Sequence, residues 1–260
     1  MSNTNDEFEM AMVMRPFNEF KNASQLVVFW LNNDESEKRS VPNSWCQVWN
    51  ESPHRFCTDG AANLLRELCI QKRIKPPNTI SGDMDSINQE ALEYFKNLSQ
   101  IRETPDQDFT DLTKALDLIG ETEAVNYGGA KAILILGGLS GRFDHTLSTL
   151  NSVHNFIAKK RLPTYVVDSK NLVTILPTGS SEIHLDKTKL TNKCGLLPLC
   201  QRETRVTSEG LKWNLNDQCL EYGGLVSSSN EIESEELLVH TNTPIVFSCE
   251  LRTAESFLLA

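Results

Sequence analysis

Ile133-Leu134-Ile135-Leu136-Gly137-Gly138-Leu139-Ser140-Gly141-Arg142-Phe143-Asp144-His145 runs from an unbroken apolar stretch through paired glycines into a polar segment. Four successive branched apolar residues predict a strand buried on both faces, as in a parallel sheet covered by helices. Leu147, Leu150 and Val153 follow at helical spacing, so the glycines mark a strand-to-helix turn. Working outward, Leu26-Val27-Val28-Phe29-Trp30-Leu31 is a second buried run. Ser44 to Val48 and Arg55-Phe56-Cys57 are weaker strand candidates, and Asn63 to Cys69 reads as helix. Strands alternating with helices predict a mostly parallel α/β sheet over residues 21–165. Residues 1–20 and 32–43 read as surface extension and loop.

After about residue 165 the period changes. Leu211, Trp213 and Leu215 alternate with Lys212 and Asn214, and Ile245, Phe247, Cys249 and Leu251 alternate with their neighbours. Gly179, Gly195, Gly210 and Gly223-Gly224 punctuate the segment. Short alternating strands between turns predict an antiparallel β-sandwich over residues 166–260. Glu231 to Glu236 reads as a solvated hairpin loop.

The chain has 260 residues, 39% apolar and 23% charged, with a net charge of -10. That is enough for one large domain or two ordinary ones. The acidic balance argues against nucleic acid, whose phosphates need a basic surface. It leaves a nucleotide open, since Mg²⁺ bridges carboxylates to phosphates. No apolar run reaches the roughly 18–20 residues that span a bilayer, so no membrane partner is expected. The acidic start fits no signal peptide. Cysteines 46, 57, 69, 194, 200, 219 and 249 form no Cys-x-x-Cys pair. They read as reduced thiols in the cytoplasm rather than disulfides or a zinc site.

Polar clusters fall where the α/β strands end, the edge at which ligands bind such sheets. In Ser81-Gly82-Asp83-Met84-Asp85-Ser86, alternate residues of an extended segment lie roughly 6–7 Å apart on one side. A slight bend brings both carboxylates to one Mg²⁺, an ion that prefers carboxylate and phosphate oxygens. Ser86-Ile87-Asn88-Gln89 has the form of a capping box, which makes Ser86 the expected N-cap. Asp59, in Thr58-Asp59-Gly60-Ala61-Ala62-Asn63, serves equally well as an N-cap or as a site carboxylate. Asp106-Gln107-Asp108-Phe109-Thr110-Asp111 holds more carboxylates than one cap needs. Gly137 and Gly138 let backbone approach a ligand, and Arg142 offers a fork for phosphate oxygens. The Lys-Ser/Thr ending of a Walker A loop is absent. His145 reads as a helix-start or packing residue.

Ser81-Gly-Asp-Met-Asp-Ser86, Thr104-Pro-Asp-Gln-Asp-Phe-Thr-Asp-Leu-Thr-Lys114, Gly137-Gly-Leu-Ser-Gly-Arg-Phe-Asp144 and Gly210-Leu-Lys-Trp-Asn-Leu215 resemble, in order, the motifs of eukaryotic thiamine pyrophosphokinases. The resemblance implies an α/β catalytic domain, a C-terminal thiamine-binding β-sandwich and a homodimer with shared active sites. It implies transfer of the diphosphoryl group of ATP to thiamine, with AMP released. Asp83, Asp85 and Asp111 match positions that hold Mg²⁺ and the triphosphate, and Asp59 matches a further acidic position. Gln107, Arg142 and Asp144, with Gly137 and Gly138, match nucleotide-binding positions. Trp213, Ser229 and Asn230 match the thiamine pocket, although strand alternation alone would put Trp213 in the core. Two residues depart from the pattern. Ala61 replaces a glycine, a strain of roughly 1 kcal/mol or more if that site has positive φ, and His145 stands where relatives often carry Gln. Another Mg-dependent nucleotidyl- or phosphoryl-transfer enzyme and a non-catalytic thiamine- or nucleotide-binding regulator are the competing readings.

Overall fold

A computed structural model describes residues 11–32, 41–106, 108–126, 128–199, 202–256 and 258. The chain enters through β1 (Met12–Met14) and α1 (Pro16–Lys21). These lie in the stretch expected to be a surface extension, yet they are part of the fold. Met12, Met14, Phe17 and Phe20 are buried, and Phe20 meets Tyr165 edge-on at 5.3 Å. Their apolar side chains, four within nine residues, make burial more favourable than solvation. Residues 1–10 of that stretch lie outside the described residues.

The α/β half then runs β2 (Leu26–Trp30), α2 (Asn43–Glu51), β3 (His54–Thr58), α3 (Asp59–Ile70), β4 (Thr79–Gly82) and α4 (Gln89–Phe95). It continues through β5 (Gln100–Glu103), α5 (Asp111–Gly120), α6 (Glu123–Asn126), β6 (Ala132–Leu136), α7 (Phe143–Lys160) and β7 (Thr164–Val167). These strands are parallel and lie in the order β7-β6-β2-β3-β4-β5. The order reverses beside β2, where successive connections leave in opposite directions. Such a reversal opens a crevice at the carboxyl edge of the sheet. All five residues of β2 and all five of β6 are buried, as their unbroken apolar runs require.

Ser44 to Val48, expected as a weak strand, is helix α2. Trp45, Cys46, Val48 and Trp49 are buried at helical spacing, and the rings of Trp45 and Trp49 each meet Trp30 edge-on at 5.5 Å. Aromatic residues favour strands in general, but the i, i+4 placement of two indoles suits one face of a helix. The expected cap at Ser86 is also displaced. Asn88 caps α4, its side chain accepting from the Ala91 amide at 2.8 Å. The Ser86 groups are spent elsewhere.

The second half comprises β8 (Asn171–Leu176), β9 (Gly179–His184), β10 (Leu190–Pro198), β11 (Thr204–Glu209), β12 (Gln218–Leu220), β13 (Ser227–Glu231), β14 (Glu236–Thr241) and β15 (Ile245–Leu251). Strands β8, β15, β10 and β13 add antiparallel to β7, so one ten-stranded sheet runs through both halves. The other layer is a five-stranded sheet in the order β1-β9-β14-β11-β12. Ile183, Val206, Leu237 and Val239 on that layer share a core with Leu196 and Phe247 on the first. The fold class is therefore the one expected: an α/β unit continued by antiparallel layers. Two local readings change. Glu231 to Glu236 joins strands of different sheets and is not a hairpin loop. Leu211, Trp213 and Leu215 lie in a loop after β11, not in a strand.

Candidate active site

The carboxyl edge of the parallel sheet opens into a cavity of about 390 Å³. Leu31 and Asn32 follow β2, Thr58 ends β3, Asp59 and Gly60 start α3, Asp83 follows β4, and Asp111 starts α5. Gly138 and Ser140 line it from the turn after β6. Five strand ends thus converge on one hollow, because parallel strands all point their carboxyl ends the same way.

Asp59 is buried, 2% exposed, on the floor of this hollow. Its two oxygens accept from the Gly60 amide at 2.7 Å and the Ser86 amide at 3.2 Å. Burial pushes its carboxyl above the ordinary range, against those hydrogen bonds, and the neighbouring Asp111 and Asp83 charges push the same way. Gly82 on β4 makes room for it: a Cβ there would sit 2.5 Å from Asp59 Cγ and 2.6 Å from Oδ1.

Asp83 and Asp85 bend toward this carboxylate. The bend is sharper than expected, because Met84 between them is left-handed, with φ of +67°. A residue with a Cβ in that conformation stores on the order of 1 kcal/mol or more. The Asp85 amide donates to Asp83 Oδ1 at 3.2 Å, and Ser86 Oγ donates to Asp85 Oδ1 at 2.7 Å. One oxygen each from Asp59, Asp83 and Asp85 lies within 4.8 Å of the other two. Three carboxylates so close repel one another unless a cation sits between them. Hard oxygen donors in this number suit Mg²⁺.

Asp111 lines the same cavity and is ion-paired with Lys114 at 2.9 Å. Thr110 caps its helix by accepting from the Thr113 amide. Lys114 also donates to the carbonyls of Thr104 at 2.7 Å and Asp106 at 2.9 Å. It therefore ties the strand end after β5 to α5, a role that Asp111-x-x-Lys114, one helical turn apart, foreshadows. Gln107 lies outside the described residues.

Gly137 and Gly138 both have positive φ, +89° and +88°. At Gly138 a Cβ would also meet Leu31 Cδ1 at 2.5 Å, so a side chain is excluded twice over. Arg142 and Asp144 are exposed and do not line the cavity. They bond each other, Arg142 Nε donating to Asp144 Oδ1 at 3.1 Å. That pairing draws the Asp144 carboxyl below its ordinary range. Ala61 lies inside α3 without positive φ, so it carries no strain of the kind feared for it. His145 is exposed in the first turn of α7 and lines the cavity.

Trp213 is far from a core residue: it is 53% exposed. With Leu215, Leu225, Val226 and Ser227–Asn230 it lines a second hollow of about 340 Å³. Lys212 Nζ lies 4.6 Å from the indole centroid and pairs with Glu231 at 2.9 Å. Asn230 is buried and clasps the Trp213 peptide: its Oδ1 accepts from the Trp213 amide at 3.2 Å and its Nδ2 donates to the carbonyl at 2.9 Å. Ser229 sits beside it with φ of +63°, where the pairing of β10 with β13 slips. The structure thus places Trp213, Ser229 and Asn230 at one pocket, with Asn230 also holding the loop that presents Trp213.

Residues 45–166 match the family described as thiamin pyrophosphokinase, catalytic domain, and residues 180–246 match thiamin pyrophosphokinase, vitamin B1 binding domain. The chain belongs to the thiamin pyrophosphokinase family. Thiamin pyrophosphokinase 1 of Caenorhabditis elegans is 37% identical over 93% of this chain and 96% of its own length. Thiamine pyrophosphokinase 1 of Oryza sativa is 33% identical over 79% of this chain and 81% of its own length. Among solved structures, yeast thiamin pyrophosphokinase superposes with a TM-score of 0.77 at 22% identity, covering 96% of this chain and 94% of that one. The enzyme from Candida albicans gives 0.76 at 23% identity, over 93% of each chain. These structures share the fold. Family membership makes the chain an enzyme of the diphosphokinase class.

Proposed function

We propose that this chain transfers the diphosphoryl group of ATP to the hydroxyl of thiamine, giving thiamine diphosphate and AMP, with Mg²⁺ as its metal. The observation that carries the reading is the meeting of Asp59, Asp83 and Asp85 within 4.8 Å at the crevice of the sheet, in a chain of this family. Bound there, Mg²⁺ would neutralise the triphosphate charge. Asp83, Asp85 and Asp111, with Asp59, would hold it. The backbone at Gly137 and Gly138 admits phosphate oxygens closely, and Gln107, Arg142 and Asp144 orient the nucleotide once the Arg142–Asp144 pair opens. The thiamine hydroxyl oxygen bonds to the β-phosphorus, the bond from that phosphorus to the α,β-bridging oxygen breaks, and AMP leaves with the bridging oxygen. Asp83 or Asp111 takes the hydroxyl proton. Positioning and charge do most of the work in such transfers.

The thiazolium of thiamine is a cation, and an indole face attracts cations. Trp213 already lies beneath the Lys212 ammonium, which supports its role as the thiamine platform. Ser229 shares that wall, and Asn230 supports it. Phe109, 58% exposed, lines the acidic cavity, Phe143 stands 74% exposed at the start of α7, and Leu225 flanks Trp213. Exposed apolar groups around both hollows favour a homodimer in which one chain's Trp213 faces its partner's carboxylates. A cytoplasmic setting fits the six free cysteines among the described residues. Among these residues no helix is long and apolar enough to cross a membrane.

Purified protein with ATP, Mg²⁺ and thiamine should yield AMP and thiamine diphosphate in equal amounts by chromatography, and neither in EDTA. ADP with thiamine monophosphate would mean an ordinary kinase. Thiamine binding without product would mean a regulator.

A further inference from the structure

Asn63 has one turn of helix α3 between itself and Asp59, so the two side chains project from the same face. Both reach across to the segment that carries Asp83 and Asp85. Asp59 Oδ2 accepts from the Ser86 amide at 3.2 Å. Asn63 Nδ2 donates to the Ser86 carbonyl at 2.8 Å, and Asn63 Oδ1 accepts from the Asn88 amide at 2.9 Å. Ser86 is thus held at both its peptide groups by one helix turn, and Ser86 Oγ in turn donates to Asp85 Oδ1 at 2.7 Å. On the other side of the segment, the strained Met84 would relax if the loop were released. Helix α4 holds only the far end of the segment, where Asn88 caps it.

We infer that Asn63 is a positioning residue for the metal-binding carboxylates: it hangs the 83–88 loop from α3 and so holds Asp85 and Asp83 at the distance from Asp59 that a divalent cation needs. This rests on the Mg²⁺-dependent reading above. Asn63 itself lines neither the cavity nor the thiamine hollow; it reaches the cavity only through the backbone of Ser86. Its loss therefore acts on metal affinity and on turnover, not on thiamine capture. The amide also satisfies the loop backbone at a donor and an acceptor together, which an apolar group of the same shape cannot do. Misplacing a binding group by about 1 Å can cost on the order of a hundredfold in rate.

The test compares wild type with Asn63→Leu, which keeps the shape, and with Asn63→Ala. Mn²⁺, a spectroscopic stand-in for Mg²⁺, is titrated into each protein without substrates and the free ion is read by electron paramagnetic resonance. Turnover, the Mg²⁺ concentration for half-maximal rate, and KM for thiamine are measured beside it. Both variants should bind Mn²⁺ at least about fivefold more weakly, need several times more Mg²⁺, and turn over about tenfold more slowly, with KM for thiamine within about twofold of wild type. Wild-type Mn²⁺ affinity and Mg²⁺ dependence in both variants would overturn the inference and leave the proposed reaction standing. So would a matched rise in KM for thiamine with a lowered melting temperature, which marks general loosening. Wild type that binds no Mn²⁺ and makes no thiamine diphosphate would instead sink the proposed reaction, and this inference with it.

Discussion

Gly82→Ala tests whether the Asp59 carboxylate must stand where it does. A Cβ at position 82 would lie 2.5 Å from Asp59 Cγ. Non-bonded carbons approach to about 3.5–4.0 Å, so roughly 1 Å of movement is required. Little of it can come from the strand, which is paired on both sides, Gly82 opposite Glu103 and Ser81 opposite Thr58. Asp59 is the softer partner, but it is boxed in by the Gly60 and Ser86 amides. Overpacking of this kind costs about 1–3 kcal/mol. For a chain of this size that is about 2–12 °C in melting temperature, at about 2–4 °C per kcal/mol. A carboxylate displaced by about 1 Å should lower turnover by about a hundredfold. Melting curves and the chromatographic assay give both numbers. A double-mutant cycle tests the contact: in an Asp59→Ala background, where the carboxyl contacts are gone and only the Cβ at 2.9 Å remains, the same Gly82→Ala change should cost less stability. Full activity in Gly82→Ala, or additive stability losses in the cycle, would show that the two positions do not press on each other as argued.

Asp83→Asn keeps the volume and removes the charge. It should cut turnover by at least about a hundredfold while shifting the melting temperature by less than about 2 °C, and near-normal kcat would remove Asp83 from the mechanism. Asp59→Asn should respond to pH through stability. Burial raises the wild-type carboxyl, so its protonated form is favoured in the fold; that advantage is complete below the ordinary aspartate range near 3.8 and fades as pH rises through the raised value. In metal-free buffer the melting temperature of Asp59→Asn should therefore gain on wild type as pH rises from about 4 to 7. A constant offset across that range would contradict the assignment. Trp213→Ala should raise KM for thiamine by about 2–30-fold, the worth of a cation–π contact, and leave KM for ATP within about twofold. Equal effects on both substrates would point to a packing role.

The legible parts of this protein are those that local chemistry decides alone. Val27 to Trp30 and Ile133 to Leu136 have no polar residue to turn toward water, so burial on both faces was readable from four letters each. The glycines at 137 and 138 and the aspartates at 83 and 85 were readable as strand-end positions because glycine pairs and carboxylates interrupt the apolar runs there. Readings failed where two local preferences competed. Ser44 to Val48 carries strand-favouring aromatics, and only the presence of Trp30 opposite Trp45 and Trp49 decides for helix. Trp213 has the alternation of a strand residue, but Asn230, seventeen positions later, holds its peptide in a loop and turns the ring outward. Ser86 looks like a cap, yet its groups are taken by Asp59, Asn63 and Asp85.

Sequence by itself determined the α/β class, the antiparallel second half and the chemical kind of the site, because periodicity and residue type act over a few neighbours. Tertiary structure alone decided that both halves share one ten-stranded sheet, that β1 joins the other sheet and that Phe17 and Phe20 of α1 are buried. It also decided that Asp59 joins Asp83 and Asp85 in one carboxylate trio, while Asp111 is paired with Lys114. Those outcomes depend on which strand ends meet in space, and the meeting is set by sheet order, a property no short window of residues contains.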